Sequence, residues 1–193
     1  MRLRVAEAVP GWRSLLLAAL LYGTSCAAKD APVITSNKFV NSPYDLRYFD
    51  DSDVILMQDF NEDAIFRSAN AGESWDKVAA IPEGVSASLV MHPFDNTRAY
   101  VLTEDVRHFR TEDRGKTWTQ FETRSIPDVR QENPLSFHAG NKDKIIVNAL
   151  DCMLGLYCER TSTYTLDGFQ TPAKPLRDNT AGCQWAKGTE LFA

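Results

Sequence analysis

Apolar and polar positions alternate in short runs along this chain, and beyond residue 28 few stretches carry the 3.6-residue period of a capped helix. Asp53-Val54-Ile55-Leu56-Met57 and Ala64-Ile65-Phe66-Arg67 form a first pair of runs in which apolar residues take polar partners, as half-buried strands do. Arg98-Ala99-Tyr100-Val101-Leu102 and Val106-Arg107-His108-Phe109-Arg110 form a second pair, and Lys144-Ile145-Ile146-Val147 and Thr161-Ser162-Thr163-Tyr164 a third. These runs predict three strand-rich units between about residues 45 and 171. Turns at 93–96 and 140–143 hold equivalent places ahead of the second and third units. Residues 29–45 read as an extended lead-in broken by Pro32 and Pro43, and 120–134 and 171–182 as long loops. Cys183-Gln184-Trp185-Ala186 opens a further strand.

Between the paired runs one eight-residue design recurs. Ser68, Asn70, Gly72, Ser74 and Trp75 in the first unit match Thr111, Asp113, Gly115, Thr117 and Trp118 in the second, 43 residues later. The order is hydroxyl, any, Asp or Asn, any, Gly, any, hydroxyl, Trp. The acid or amide can accept backbone N–H groups and fix a tight turn. Glycine can take the positive φ that such a turn needs. The second hydroxyl can tie the turn to its own backbone, and the Trp starts the return strand with a large face to bury. Each copy reads as a hairpin connector, the Asp-box. Thr165-Leu166-Asp167-Gly168-Phe169 is a degenerate third copy in which Gly168 follows Asp167 directly and Phe169 supplies the aromatic. A strand-rich repeat near this period predicts four-stranded propeller blades.

The first 28 residues have another character. Arg2, Arg4 and Arg13 precede the unbroken apolar run Leu15–Tyr22, and Ser25-Cys26-Ala27-Ala28 supplies small residues for cleavage. This predicts a signal peptide over 1–28, with an uncleaved anchor as the alternative, and a mature segment 29–193. Its removal takes three of the 21 basic and one of the 26 acidic residues, so the remainder is two charges more negative than the −5 of the whole chain. That balance argues against nucleic acid. Asp50, Asp51 and Asp53 read as a solvated loop. His92, His108 and His138 are scattered among strand signals and read as sheet residues, with no zinc spacing. No metal or cofactor is expected. Cys152 and Cys158 can close a short loop in an oxidising compartment, which leaves Cys183 without a partner.

Several landmarks then occur in order: Tyr48-Phe49-Asp50-Asp51-Ser52-Asp53, the first box, His92-Pro93, Ala99-Tyr100, the second box, Pro134-Leu135-Ser136-Phe137-His138, Cys152-Met153, Cys158, Thr165–Phe169 and Cys183–Ala186. From about residue 29 onward the chain resembles the start of the luminal domain of fungal vacuolar sorting receptors of the sortilin family. The resemblance implies an all-β fold, about three blades of a ten-bladed propeller too large for this polypeptide to close. It implies a type I membrane receptor that binds soluble vacuolar hydrolase precursors such as carboxypeptidase Y in the late Golgi and releases them in a prevacuolar endosome. It also implies that Cys183 bonds to a cysteine further downstream. Cysteine-rich modules, a membrane span and a sorting tail are absent from this sequence, so the chain is expected to be a receptor fragment that does not function alone.

Two other readings compete. An Asp-box glycosidase of sialidase type needs an arginine triad; Arg67, Arg107 and Arg110 are present, but Arg67 and Arg110 are expected on the outer side of the blades and no pair of carboxylates stands out. A soluble interaction protein would pair another chain along its open sheet edge. Trp75, Trp118, Tyr48 and Phe109 are read as core residues rather than sugar-stacking ones.

Overall fold

The computed structural model describes Ser36, Lys38, Phe39 and residues 42–59, 61–153, 157–186 and 191–192, all within the compact unit Thr35–Ala193. The signal peptide expected over 1–28 lies outside the described residues. Fourteen strands are present among those described, and no helix there is long and apolar enough to cross a membrane.

Three sheets have the same plan. Blade 1 comprises β1 (Pro43–Tyr48), β2 (Ile55–Asp59), β3 (Ile65–Ser68) and β4 (Asp76–Lys77). Blade 2 comprises β5 (Ser88–Met91), β6 (Ala99–Leu102), β7 (Arg107–Thr111) and β8 (Thr119–Glu122). Blade 3 comprises β9 (Leu135–Phe137), β10 (Ile145–Met153), β11 (Tyr157–Thr165) and β12 (Lys174–Asp178). Within each, neighbouring strands are sequential and antiparallel. A short fourth sheet pairs β13 (Gln184–Trp185) with β14 (Leu191–Phe192). The fold is a partial β-propeller.

The period-2 pattern explains why the blades stack. In β6, Ala99 and Val101 point to one side and join Leu56, Ile65 and Ile81 of the blade 1 unit in one buried cluster. Tyr100 and Leu102 point to the other side and join Leu135, Ile145 and Val147 around blade 3. A central strand that is apolar on both faces is what a sheet sandwiched between two others requires.

Three expectations need correction. The segment 171–182 is not a loop throughout, because it contains β12, an edge strand in which Pro175 stands opposite Thr163 beside a register shift. The lead-in ends three residues early, at residue 42, and β1 begins at Pro43. Tyr48 is not a core residue: it is 63% exposed, because β1 lies at the sheet edge with Tyr44 and Leu46 also exposed. Phe109 and Trp118 do pack against the core between blades 1 and 2.

Candidate functional site

Each box joins the third strand of its blade to the fourth, and the three build nearly the same hydrogen-bond net. In the second, Thr111 Oγ1 donates to Asp113 Oδ1 at 2.8 Å and accepts the Gly115 N–H at 2.8 Å. Asp113 Oδ1 accepts the Thr117 N–H at 2.8 Å, while Thr117 Oγ1 donates to Asp113 Oδ2 at 2.6 Å. The first copy repeats this: Ser68 Oγ accepts the Gly72 N–H at 2.8 Å and Asn70 Oδ1 the Ser74 N–H at 3.0 Å. There the amide Nδ2 of Asn70 donates to Ser74 Oγ at 3.1 Å, while Ser74 Oγ donates to Asn70 Oδ1 at 3.3 Å. The second hydroxyl therefore binds the Asp or Asn side chain, not the backbone. Trp75 and Trp118 each donate an indole N–H to the carbonyl of the box glycine, at 3.2 and 3.1 Å.

The third box differs from its sequence reading. Gly168 (φ 65°) stands where Ala71 (φ 54°) and Arg114 (φ 58°) stand, and Phe169 (φ 68°) occupies the position of Gly72 and Gly115. The Phe169 N–H donates to Thr165 Oγ1 at 3.0 Å, as the glycine N–H does elsewhere. Thr171 is the second hydroxyl and donates to Asp167 Oδ2 at 2.6 Å. Its spacing from Thr165 equals that of Thr117 from Thr111, which is the signal that could have found it. Two consecutive left-handed residues make each box a mirror-image turn suited to a hairpin. Phe169 bears that conformation at a cost on the order of 1 kcal/mol. Its ring stacks on Phe121 of blade 2 at 4.6 Å, which offsets the cost.

These nets hold both aspartates in the anionic form. At Asp113 burial pushes the carboxyl pKa up, but the bonds from Thr117 and Thr111 outweigh it and the net shift is downward. At Asp167 the Thr171 hydroxyl leads the lowering.

The boxes also join the blades. Each pins its own first hairpin through one backbone bond, from Ala71 N to Asp53 O, Arg114 N to Thr97 O and Gly168 N to Asp143 O. The arginine just ahead of one box then reaches the next. Arg67 Nε donates to Arg114 O at 2.9 Å, and a Cβ on Gly168 would lie 3.4 Å from the Arg110 guanidinium. Arg67 and Arg110 are thus partly buried at the seams between blades, not on an outer side. Arg98, with only 7% of its side chain exposed, reaches from blade 2 to Asp143 of blade 3 at 2.6 Å, and also pairs with Glu112 at 3.1 Å.

Two of the three histidines belong to the same seams rather than to strands. His92 follows β5, its Nδ1 accepts the Phe94 N–H at 3.1 Å, and its Nε2 meets Lys142 O of blade 3 at 3.2 Å. Burial lowers its pKa. His138 is its counterpart after β9, with Nδ1 accepting the Gly140 N–H at 2.9 Å and its ring 5.1 Å from Trp185. His108 lies within β7, and burial lowers its pKa to about 4. Its Nδ1 accepts the Thr103 N–H, so the proton sits on Nε2 and faces Thr123 Oγ1 at 2.8 Å. Among the described residues no group of three or more His, Cys, Asp or Glu side chains is placed to hold a metal ion.

Cys152 and Cys158 face one another across β10 and β11 and are bridged. Cys183 is unbridged among the described residues and buried; its N–H donates to Asn148 Oδ1 at 2.8 Å, and Asn148 Nδ2 donates back to Cys183 O at 3.1 Å.

This repeated blade geometry agrees with the comparison to known proteins. The sequence model of Sortilin-Vps10, described as sortilin, neurotensin receptor 3, matches residues 63–192. The chain belongs to the Sortilin-Vps10 family. Proteins called vacuolar protein sorting/targeting protein 10 are similar across nearly its whole length. The one from Fusarium vanettenii is 47% identical over 97% of this chain, and the one from Verticillium alfalfae 45% over 94%. The one from Colletotrichum graminicola is 44% identical over 100%. This Sortilin-Vps10 chain spans 12% of the length of each. Among solved structures, a chain described as YCF48 bound to D1 peptide aligns with 72% of this chain, and this chain with 43% of it, at a TM-score of 0.45 and 13% identity, too distant to carry weight.

Proposed function

We propose that this chain is the N-terminal luminal propeller segment of a sorting receptor for soluble vacuolar hydrolase precursors, of the carboxypeptidase Y kind, moving between the late Golgi and a prevacuolar endosome. The observation that carries the reading is the 44–47% identity, over almost the whole chain, to relatives whose names state vacuolar sorting and targeting. The Cys152–Cys158 bridge fits a lumen that favours disulfides. In this reading residues 1–28 are the signal peptide, 29–193 begin the propeller domain, and Cys183 bonds to a cysteine of the larger receptor.

The reading assigns no catalysis. The three arginines that a sialidase triad would need serve elsewhere: Arg67 holds the Arg114 carbonyl, Arg107 pairs with Asp105 at 3.2 Å, and Arg110 lies 3.8 Å from Glu112. The box residues are the frame on which cargo-facing loops are carried. A pull-down of secreted hydrolase precursors, comparing this chain with a complete luminal domain that contains it, tests the assignment. Enrichment by the complete domain is expected; enrichment by neither rejects a cargo receptor.

A further inference from the structure

Between blades 1 and 2, at the end of the sheets opposite the boxes, lies a cavity of about 880 Å³. That is the size of a small-ligand pocket. Its walls come from the β2–β3 turn, the β4–β5 connection and the β6–β7 turn, with Pro82, Val85 and Phe109 as apolar surface. Its charge is one-sided. Among the described residues, Asp59, Asp63, Glu104 and Asp105 line it against one cation, Arg107, which Asp105 already holds.

Two buried groups in this lining are unsatisfied. Asp59 is 3% exposed, and its Oδ1 accepts the N–H groups of Asn61 and Glu62 at 3.0 and 2.7 Å. Its Oδ2 has no partner among the described residues, nor does Oγ of Ser86, which is 2% exposed. Gln58 Nε2 donates to Ser86 O at 2.7 Å and fixes that backbone across the cleft. A buried carboxylate oxygen and a hydroxyl left unpaired at one cavity are costly unless a donor fills it.

We propose that this cavity binds the guanidinium or ammonium group of a basic side chain presented by a peptide. Such a group donates several hydrogen bonds and accepts none, which matches Asp59 Oδ2 and Ser86 Oγ. Its aliphatic stem lies along Pro82 and Val85, and the ring face of Phe109 adds a cation–π contribution. Asp63 and Glu104 draw the cation in and repel acidic ligands. The inference rests on the receptor reading for the origin of the peptide; the chemistry of the cavity does not depend on it.

The test is calorimetric titration of the full chain with N-acetyl-Gly-Arg-Gly-amide and with its citrulline counterpart, which has the same shape without the charge. Saturable binding of the arginine peptide is expected, about tenfold tighter than the citrulline peptide and weakened by salt. Asp59→Asn keeps the Oδ1 acceptor of its turn and is expected to lose about tenfold in affinity. Glu104→Gln, on the exposed rim, leaves the fold intact, is expected to lose severalfold, and decides the matter if Asp59→Asn does not fold. Equal binding of the two peptides, no saturable binding to the folded chain, or affinity unchanged in the folded variants overturns the site. Arginine-peptide binding without capture of hydrolase precursors keeps the site and rejects the receptor reading; capture without arginine-peptide binding does the reverse.

Discussion

Asp113 shows how much one carboxylate carries in this fold. It takes hydrogen bonds from two hydroxyls and a backbone N–H, so Asp113→Ala strands three donors at once. A loss of about 2–3 kcal/mol in denaturant unfolding is expected, against less for Asp113→Asn, the residue the first box already uses at position 70. The pH dependence has a definite sign. The folded pKa values of Asp113 and Asp167 lie below the ordinary carboxylate value, so their contribution is complete above about pH 4 and is lost as pH falls through the folded values. His108 acts at higher pH. Its folded pKa, about 4, is below its ordinary 6.5, so the unfolded chain takes up a proton first and stability falls as pH drops from 6.5 toward 4. His108→Gln is expected to flatten that slope by up to about 1.4 kcal/mol per pH unit, read from unfolding curves at pH 7, 6 and 5.

At the scale of the element, the glycines of the first two boxes show whether a turn is merely bent or also clamped. Gly72 and Gly115 both have positive φ, but a Cβ on Gly72 would meet its neighbours at 3.7 Å, whereas one on Gly115 would lie 2.8 Å from Leu56 Cδ2 of blade 1. Gly72→Ala is therefore expected to cost about 1 kcal/mol in backbone strain, and Gly115→Ala clearly more, by the same unfolding assay. The strands richest in apolar residues, such as β2, β6 and β10, were legible because blades bury them on both faces. β12 was not, because Lys174-Pro175-Leu176-Arg177-Asp178 is an edge strand with one apolar side chain and no local signal distinguishes it from a loop. The third box was misaligned by one residue, because Gly168 beside Asp167 suggested the box glycine, while stacking on Phe121 is what lets Phe169 occupy that place. The seam roles of Arg67, Arg98 and His92 depend on which loops meet across neighbouring blades, and no spacing within one unit states that.

The whole molecule depends on those seams, since each blade leaves an apolar face that only its neighbour covers. Arg98 ties blade 2 to blade 3 through Asp143, and Arg98→Met takes the cation from that carboxylate, which is 38% exposed, while Glu112, 51% exposed, keeps Arg110 at 3.8 Å. A loss of about 2 kcal/mol is expected, with hydrogen exchange rising in β6 and β10 together rather than in one sheet. The Cys152–Cys158 bridge works locally by contrast. It closes a short loop at the far end of β10 and β11, so Cys152→Ala with Cys158→Ala is expected to cost about 2 kcal/mol and to raise exchange near the hairpin tip while Ile145–Val147 stay protected. The receptor reading is most directly tested by exchange of the segment. Residues 29–193 replace the matching segment of the Fusarium vanettenii relative, the chimera is expressed in fungal cells that lack their own receptor, and hydrolase precursor in the medium is measured. Retention of the precursor inside the cells, as with the intact relative, is the predicted result; secretion at the level of receptor-less cells, with the chimera present and folded, would contradict the account.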